Sequence, residues 1–305
     1  MYYKKFTNLK INSNGSPRAK VILKDLTTLW FNTGTLCNIS CKGCYIESSP
    51  KNNELQYLNL SDIKKYINEI ITLKLKTELI GFTGGEPFLN PNIINILNFV
   101  LENNFKVLLL TNAMRPMQNK SKLLKNISNK HNLKIRVSID HYQKEKHEAI
   151  RGNHSWEPLI NGLLWLKKNH FSISVASRYS TSYDEPYIRK KYDGLFKKLN
   201  LNLDAFNKES LILFPDMNEN NNVPEISEQC WSILKKSPSS VMCSNSRMVV
   251  KRKNSSSPVI LSCTLVTKDK DFELGSDIKN SSKTTYLKHP YCSQFCVLGN
   301  SSCSN

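Results

Sequence analysis

The sequence lacks a long hydrophobic run and a recognisable export signal. No stretch of the 305 residues approaches the roughly 18 consecutive apolar residues that a membrane-spanning helix needs. The first residues contain neither an apolar core segment nor a small-residue cleavage site. These absences argue against a membrane protein and predict a location in the reducing cytoplasm.

Arginine is scarce, although the chain is strongly basic. The formal net charge is +18, yet only 8 of the 43 basic residues are arginine, whereas lysine and asparagine number 35 each. Proteins that read nucleic acids favour arginine, because its guanidinium pairs with bases in a bidentate geometry. Lysine and asparagine share A-rich codons, so an AT-rich genome accounts for both excesses. The composition favours a solvated basic surface, and RNA binding or modification is kept as an alternative that a salt-sensitive RNA affinity would support.

The nine cysteines are an odd number, which argues against a framework of disulfides. Three of them, Cys37, Cys41 and Cys44, lie within eight residues, and none occurs in the next 185. The last 76 residues contain the other six, which are Cys230, Cys243, Cys263, Cys292, Cys296 and Cys303. This distribution predicts two separate metal-binding regions.

Short apolar runs alternate with segments of helical spacing over residues 26–215. The runs that predict buried strands are 26–33, 79–83, 107–111, 135–139, 172–177 and 211–214. The segments that predict helices are 61–73, 91–103, 121–130, 156–168 and 185–199. Six strands alternating with five helices imply an α/β fold with a parallel sheet, in a segment of roughly 190 residues that is short for eight such units. We therefore expect an open or partial barrel with its chemistry at the carboxyl ends of the strands.

A polar break at residues 216–224 is the best candidate for a domain boundary. Residues 1–25 are expected to form a lead-in and residues 26–215 the α/β domain. Residues 216–305 are rich in cysteine, serine and proline, with few helical patterns, which predicts a small loop-rich domain held together by metal.

The first cysteine cluster directly follows the first predicted strand and has the spacing Cys-x3-Cys-x2-Cys. Three thiolates in a tight loop can bind three irons of a [4Fe–4S] cube and leave the fourth iron open. Structural zinc usually takes four ligands in two separated pairs. A zinc knuckle and three unrelated buried thiols are the alternatives, and the spacing favours the cluster.

The second predicted strand ends in Gly84-Gly85-Glu86-Pro87. Paired glycines let a ligand approach the backbone closely, and a carboxylate accepts hydrogen bonds from an ammonium group. On its own, this segment is equally typical of an ordinary βα turn. Together with the cysteine spacing and the six-unit α/β pattern, it resembles the radical S-adenosylmethionine (SAM) superfamily over about residues 26–215.

The resemblance implies a partial (β/α)6 barrel similar to a TIM barrel, with a [4Fe–4S] cluster and SAM as cofactors. Cys37, Cys41 and Cys44 would hold the cluster, and SAM would chelate its open iron. The residues implied to bind SAM are Gly84, Gly85, Glu86, Asn112, Ser138 and Asp140. Arg178 is a further candidate, as a partner of the SAM carboxylate.

One position departs from the family pattern. The residue before the third cysteine is commonly aromatic in the family, and in this chain it is Gly43. The resemblance therefore implies that Tyr45, just after that cysteine, supplies the surface against the adenine.

The C-terminal cysteines resemble the SPASM or twitch extensions of the same superfamily, which carry auxiliary iron–sulfur clusters. The spacing differs from the usual SPASM pattern, and six cysteines are too few for two fully ligated cubes. One auxiliary cluster is therefore expected, with zinc as the rival metal. The ligands expected for it are Cys263, Cys292, Cys296 and Cys303, with Cys243 as the substitute. Cys230 is expected to be a buried thiol.

The activity implied by the resemblance is that of an oxidoreductase-like radical SAM enzyme. Reductive cleavage of SAM would give a 5′-deoxyadenosyl radical that abstracts hydrogen from a substrate. Similar extensions accompany the modification of peptides or proteins, while other relatives act on small metabolites, and the sequence names neither the substrate nor its acid or base. The alternative from a different class is a non-catalytic iron–sulfur or zinc protein on the same scaffold, which would bind iron without cleaving SAM.

An acidic electron donor, such as flavodoxin or ferredoxin, is expected because SAM cleavage consumes an electron and the chain is basic. Turnover with such a donor should fall as ionic strength rises, since salt screens the attraction between the two proteins. Rates measured with the protein donor across a salt series, and with dithionite as the control, test this expectation. A donor-dependent rate that is independent of salt would remove it.

Overall fold

A nine-stranded sheet organises the computed structural model, which describes residues 4–179 and 184–304 of the chain. In chain order, the strands are β1 Lys20–Val21, β2 Thr28–Asn32, β3 Leu79–Thr83, β4 Lys106–Thr111, β5 Leu133–Ser138, β6 Ser172–Tyr179, β7 Leu211–Pro215, β8 Ser246–Val250, β9 Val259–Leu261, β10 Glu273–Gly275 and β11 Thr285–Tyr286. Their order across the sheet is β10-β9-β8-β2-β3-β4-β5-β6-β7, and β1 pairs separately with β11. Strands β2 to β7 run parallel, β8 is parallel to β2, and β9 and β10 are antiparallel to their neighbours.

Helices connect the parallel strands. They are α1 Leu60–Thr72, α2 Ile93–Glu102, α3 Arg115–Asn119, α4 Ser121–Lys125, α5 Lys144–Arg151, α6 Trp156–Lys168 and α7 Glu185–Lys198, followed by a short α8 at Cys230–Ile233 and a π-helical turn at Cys292–Val297. Among the described residues, no helix is long and apolar enough to cross a membrane.

The parallel strands are apolar throughout because both faces of the sheet are covered. On one face, Phe31 stacks on Phe82 with ring centroids 5.6 Å apart, within the core that also receives helices α1 and α2. On the other face, Trp30 lies over Gly81, where a Cβ atom would come within 2.4 Å of the indole ring. The Trp30 Nε1 donates to Ser304 Oγ at 3.2 Å, so the C-terminal segment reaches this second face. Burying a large apolar side chain of this kind contributes about 1.5–3 kcal/mol.

The α/β fold class is confirmed. All six predicted strands are present, with ends that differ by at most two residues, and predicted helices 61–73, 91–103, 156–168 and 185–199 correspond to α1, α2, α6 and α7. Predicted helix 121–130 ends early, at Lys125. Helix α5 was not predicted, because its eight residues, KEKHEAIR, provide no apolar stripe.

Pairing of strands crosses both of the expected domain boundaries. Strand β8, from the C-terminal part, extends the main sheet beside β2, and β1, from the lead-in, pairs with β11 near the C-terminal end. A buried ion pair of 2.7 Å between Arg18 and Glu225 joins the same two parts. The division into residues 1–25, 26–215 and 216–305 stays a prediction. It was based on changes in composition along the chain, and the pairing of the strands does not follow those changes.

Candidate functional site

A cavity of about 190 Å³ lies at the carboxyl ends of the parallel strands. The strand ends that line it are Thr83, Thr111, Ser138, Arg178 and Pro215, from β3 to β7 in order. The loop that follows β2 brings Cys37, Cys41 and Cys44 to the same cavity. The structure therefore places the first cysteine cluster where parallel α/β folds carry their chemistry.

The cysteine loop is held in a tight conformation by its own backbone. The amide of Cys44 donates to the carbonyl oxygen of Cys41 at 3.3 Å, and the amide of Ser48 donates to Cys44 Sγ at 3.4 Å. Gly43 has φ of +65°, and a Cβ atom there would lie 3.1 Å from Arg178 Nη1. The left-handed backbone and this contact both favour glycine at a position that is commonly aromatic in the resembling family. Tyr45 lines the cavity, and its contact with adenine stays a prediction.

Burial keeps the thiols of Cys37 and Cys41 protonated unless a cation binds them. It raises the pKa of Cys37 to about 12 and also raises the pKa of Cys41, because a thiolate is poorly solvated there. The hydroxyl of Ser48, another lining residue, is buried without a hydrogen-bond partner in the described part of the chain. Cationic iron would favour the thiolate forms, so the donor set fits an iron–sulfur cluster.

The paired glycines are required by the approach of the loop that leads to Cys37. A Cβ atom on Gly85 would lie 2.2 Å from the carbonyl oxygen of Leu36, and one on Gly84 would lie 2.6 Å from that of Gly34. The amide of Gly85 donates to the Gly34 oxygen at 2.8 Å. Both glycines also line the cavity, so the turn at once fixes the loop and exposes backbone to a ligand.

Glu86 does not line the cavity. Its carboxylate is buried and accepts from Thr111 Oγ1 at 2.8 Å, from the amide of Asn112 at 2.8 Å and from the amide of Phe88 at 3.1 Å. Burial raises the pKa of Glu86 to about 7, and the three donors act in the opposite direction. The carboxylate thus ties the end of β3 to the end of β4. Its role toward the SAM amino group stays a prediction that these contacts do not support.

Asp140 and two arginines clamp the cysteine loop. Asp140 Oδ2 accepts from Arg151 Nε at 2.7 Å and from Arg178 Nη2 at 3.1 Å. Burial by itself raises the pKa of Asp140, but the two guanidinium groups hold it well below its usual range. Arg178 Nη1 also donates to the carbonyl oxygens of Lys42 and Gly43, each at 3.0 Å. The charges that were expected to meet SAM are therefore engaged with each other and with the loop.

The remaining predicted SAM residues also reach the cavity wall. Asn112 and Ser138 line it, and Asn112 Nδ2 donates to Asn38 Oδ1 at 2.9 Å, beside Cys37. Sequence reasoning missed Arg151, since it lies at the end of the unpredicted helix α5. The far wall was missed as well, because its residues come from distant parts of the chain: Phe214, Met217, Leu265, Phe295 and Cys303.

The C-terminal cysteines form a second site. A small cavity of about 20 Å³ is lined by four of them, Cys243, Cys263, Cys292 and Cys296. Cys292 and Cys296 lie on the π-helical turn, Cys263 follows β9, and Cys243 lies on a 3-10 turn before β8. The structure thus brings Cys243 to the other three.

The expected ligand Cys303 lies in the wall of the first cavity. Its Sγ atom accepts from Thr264 Oγ1 at 3.9 Å, and its carbonyl oxygen accepts from the buried Arg136 at 2.8 Å. Arg136 lies on β5, so this contact joins residues that are far apart in the chain. The spacing of the cysteines therefore could not predict it. Cys230 is half-buried, outside both cavities, with the hydroxyl of Ser227 3.4 Å from its Sγ atom.

The arrangement of the thiols bears on the choice of metal. Within residues 4–179 and 184–304, no three Cys, His, Asp or Glu side chains converge closely enough to hold one metal ion. Structural zinc needs four ligands around a single point, with sulfur at about 2.3 Å. In both regions the thiols line a cavity, and the choice between iron–sulfur and zinc at the C-terminal thiols stays a prediction.

Replacement of Asp140 by asparagine tests the clamp. Asp140→Asn removes the charge that holds both arginines, so we expect it to cost about 3–5 kcal/mol of stability and to lower the iron retained per chain. Asp193→Asn is the matched control, because it breaks a pair with an exposed lysine, at 2.8 Å, and should change stability by about 1 kcal/mol or less. Thermal unfolding and iron analysis of both variants make the comparison. Equal iron in Asp140→Asn and wild type would show that the clamp does not support the loop.

Comparisons with known proteins agree with this site. The family model of the radical SAM superfamily matches residues 31–181. The antilisterial bacteriocin subtilosin biosynthesis protein AlbA of Bacillus subtilis (strain 168) is 32% identical over 121 residues, which are 38% of this chain and 25% of AlbA. GTP 3′,8-cyclase of Actinobacillus pleuropneumoniae serotype 5b (strain L20) is 28% identical over 131 residues, 42% of this chain and 37% of the cyclase. The chain therefore matches well under two thirds of either relative.

Similarity of fold extends beyond the matched segment. The crystal structure of Streptococcus suis SuiB bound to S-adenosylmethionine aligns with a TM-score of 0.60 at 10% identity, covering 83% of this chain and 64% of SuiB. At that identity, the likeness shows the fold alone. The family match over residues 31–181 includes the cysteine loop and the paired glycines, and through it the chain belongs to the radical SAM superfamily, whose cofactors are a [4Fe–4S] cluster and SAM.

Proposed function

We propose that the chain is a radical SAM enzyme that abstracts hydrogen from a peptide or protein substrate. The observation that carries the proposal is the meeting of three thiols, the Gly84-Gly85 turn and five strand ends around one cavity. Cys37, Cys41 and Cys44 would hold the [4Fe–4S] cluster. A second cluster would bind in the C-terminal part, at Cys243, Cys263, Cys292 and Cys296.

The residues around the first cavity have separable tasks. The clamp of Asp140, Arg151 and Arg178 fixes the loop, so the three thiols keep their relative positions when a cluster binds. The glycine turn offers backbone groups to the SAM amino group without side chains in the way. When bound, the cluster and SAM supply a 5′-deoxyadenosyl radical, which is able to abstract hydrogen from an unactivated C–H bond.

The far wall of the cavity is apolar and excludes water from a reactive radical. Beside Cys303 it consists of Phe214, Met217, Leu265 and Phe295, and the two phenyl rings pack with centroids 5.4 Å apart. A wall of this composition accommodates an apolar side chain of a substrate. No side chain is assigned as an acid or base for that substrate.

Two observations favour a peptide over a nucleotide substrate. Among the described residues, the cations that line the cavity are Arg151 and Arg178, and both already pair with Asp140, so neither is free for a triphosphate. The relative AlbA carries a name that places it in bacteriocin biosynthesis, and SuiB has also been solved with its precursor peptide SuiA. These points support a peptide substrate over one resembling that of the GTP cyclase.

The C-terminal cavity fits a polar, sulfur-ligated group. Burial raises the pKa values of Cys243, Cys263, Cys292 and Cys296, so neutral thiols are favoured there unless a cationic centre binds. The hydroxyl of Thr285 lines the same cavity and is buried without a partner among the described residues. An electron donor of acidic character and a cytoplasmic location stay predictions beside this proposal.

Iron and sulfide per chain after anaerobic reconstitution test the cluster assignment. We expect about eight irons in the wild type and about four in the Cys37/Cys41/Cys44→Ala triple variant, because each region would hold one four-iron cube. Cys243→Ala should lose iron from the second cluster, whereas Cys303→Ala should keep the wild-type content.

Cys230→Ala is the matched control for these cysteine variants, since Cys230 lies outside both cavities. A triple variant that keeps all its iron would contradict the proposed function. Loss of iron in Cys303→Ala, with none in Cys243→Ala, would restore the ligand set predicted from the sequence.

A further inference from the structure

A buried guanidinium contacts the backbone of Cys243, one of the four C-terminal cysteines. Arg247, on β8, is fully buried, and its Nη1 donates to the carbonyl oxygens of Cys243 at 2.7 Å and Ser246 at 2.8 Å. Its Nε donates to the carbonyl oxygen of Ser281 at 2.9 Å. Within the described part of the chain, Nη2 is buried and has no hydrogen-bond partner. A charged donor left in this state is costly, so the geometry calls for an acceptor.

Among the described residues, no carboxylate forms an ion pair with Arg247. The partners that the structure gives it are neutral carbonyl oxygens, one of which belongs to Cys243. The guanidinium of arginine stays protonated in proteins, so this group is cationic at neutral pH. The groups able to carry negative charge with which it interacts electrostatically are the thiols of Cys243 and Cys263. The arrangement suits an anion built on those sulfurs.

A second unpaired donor lies at the cavity that the four C-terminal thiols line. Thr285, on β11, lines it, and its hydroxyl is buried with no partner among the described residues. The two orphaned donors belong to different strands, and β11 is held in place independently, by β1. Buried donors without a partner are unfavourable. Two of them near these thiols therefore point to an acceptor rather than to a role in packing alone.

We propose that Arg247 and Thr285 stabilise the reduced form of the auxiliary cluster, and so raise its reduction potential. This inference rests on the proposed second cluster. Arg247 would act through its charge and through Nη2–H donated to a sulfur, and Thr285 would act through its hydroxyl. One-electron reduction adds negative charge to the cluster, so positive charge and hydrogen-bond donors favour the reduced state. Both are positioning residues, because neither is a ligand of iron.

The test is a potentiometric titration, followed by electron paramagnetic resonance. The background is the full-length Cys37/Cys41/Cys44→Ala variant, in which only the auxiliary cluster would give a signal. Arg247→Gln removes the charge, Arg247→Lys retains it, and Thr285→Val removes the hydroxyl at nearly constant shape. Arg189→Gln is the control, because Arg189 is likewise buried and bonded to carbonyl oxygens, at 2.6 and 3.1 Å, but lies on α7.

We expect the midpoint potential of the Arg247→Gln variant to be more negative than that of the parent by about 59 mV or more. At the parent's midpoint potential, the ratio of reduced to oxidised cluster would then be at least about tenfold lower. Arg247→Lys should stay near the parent, Thr285→Val should shift in the same direction by less, and Arg189→Gln should not shift. Loss of iron in Arg247→Gln that Arg247→Lys restores would also support the role of the charge.

Three results would overturn the inference. An Arg247→Gln variant with the parental iron content and an unchanged or more positive midpoint shows that the charge does not tune the cluster. Loss of iron in both Arg247 variants shows that the side chain only holds the carbonyl oxygens around Cys243. Absence of iron from the parent triple variant removes the second cluster itself, and this failure is distinguished by iron analysis before any titration.

Discussion

The site depends on the absence of side chains where two segments of backbone meet. The carbonyl oxygen of Leu36 occupies the place where a Cβ atom of residue 85 would begin, so only glycine lets the loop before Cys37 lie against the end of β3. That contact continues through Glu86, whose backbone amide donates to the Leu36 oxygen at 3.1 Å and whose carboxylate holds the amide of Asn112. Two strand ends and the cysteine loop are therefore fixed by one continuous set of contacts.

Charge fixes the other side of the loop, and the C-terminal part of the chain closes the cavity. Asp140 orients Arg178 toward the carbonyl oxygens between Cys41 and Cys44, which leaves the loop little freedom to open. Leu265 lines both cavities, so one residue forms part of the wall between the two thiol sites. Binding, positioning and exclusion of water are thus divided between the parallel strands and the segment added beside β2.

The features that could be predicted from the sequence are those encoded locally. Apolar runs gave the parallel strands, and three cysteines within one loop gave the first thiol site, since neighbours in sequence are neighbours in space. The contacts of Glu86, Asp140 and Arg178 depend on tertiary partners that lie far away in the chain, so the sequence could not predict them, and binding of SAM by these residues stays a prediction. For the same reason, spacing could not show that Cys243 lines a cavity with Cys263, Cys292 and Cys296, or that Arg136 on β5 binds the carbonyl oxygen of Cys303.

The most direct test of the central claim is the formation of 5′-deoxyadenosine from SAM by the reconstituted protein, with dithionite as the reductant. We expect reductant-dependent product with the wild type and with Cys230→Ala, and none with Cys41→Ala, because Cys41, unlike Cys230, lies in the loop that would hold the cluster. Product formation by Cys41→Ala at the wild-type rate would contradict it. So would the absence of product from wild-type protein that carries its full complement of iron.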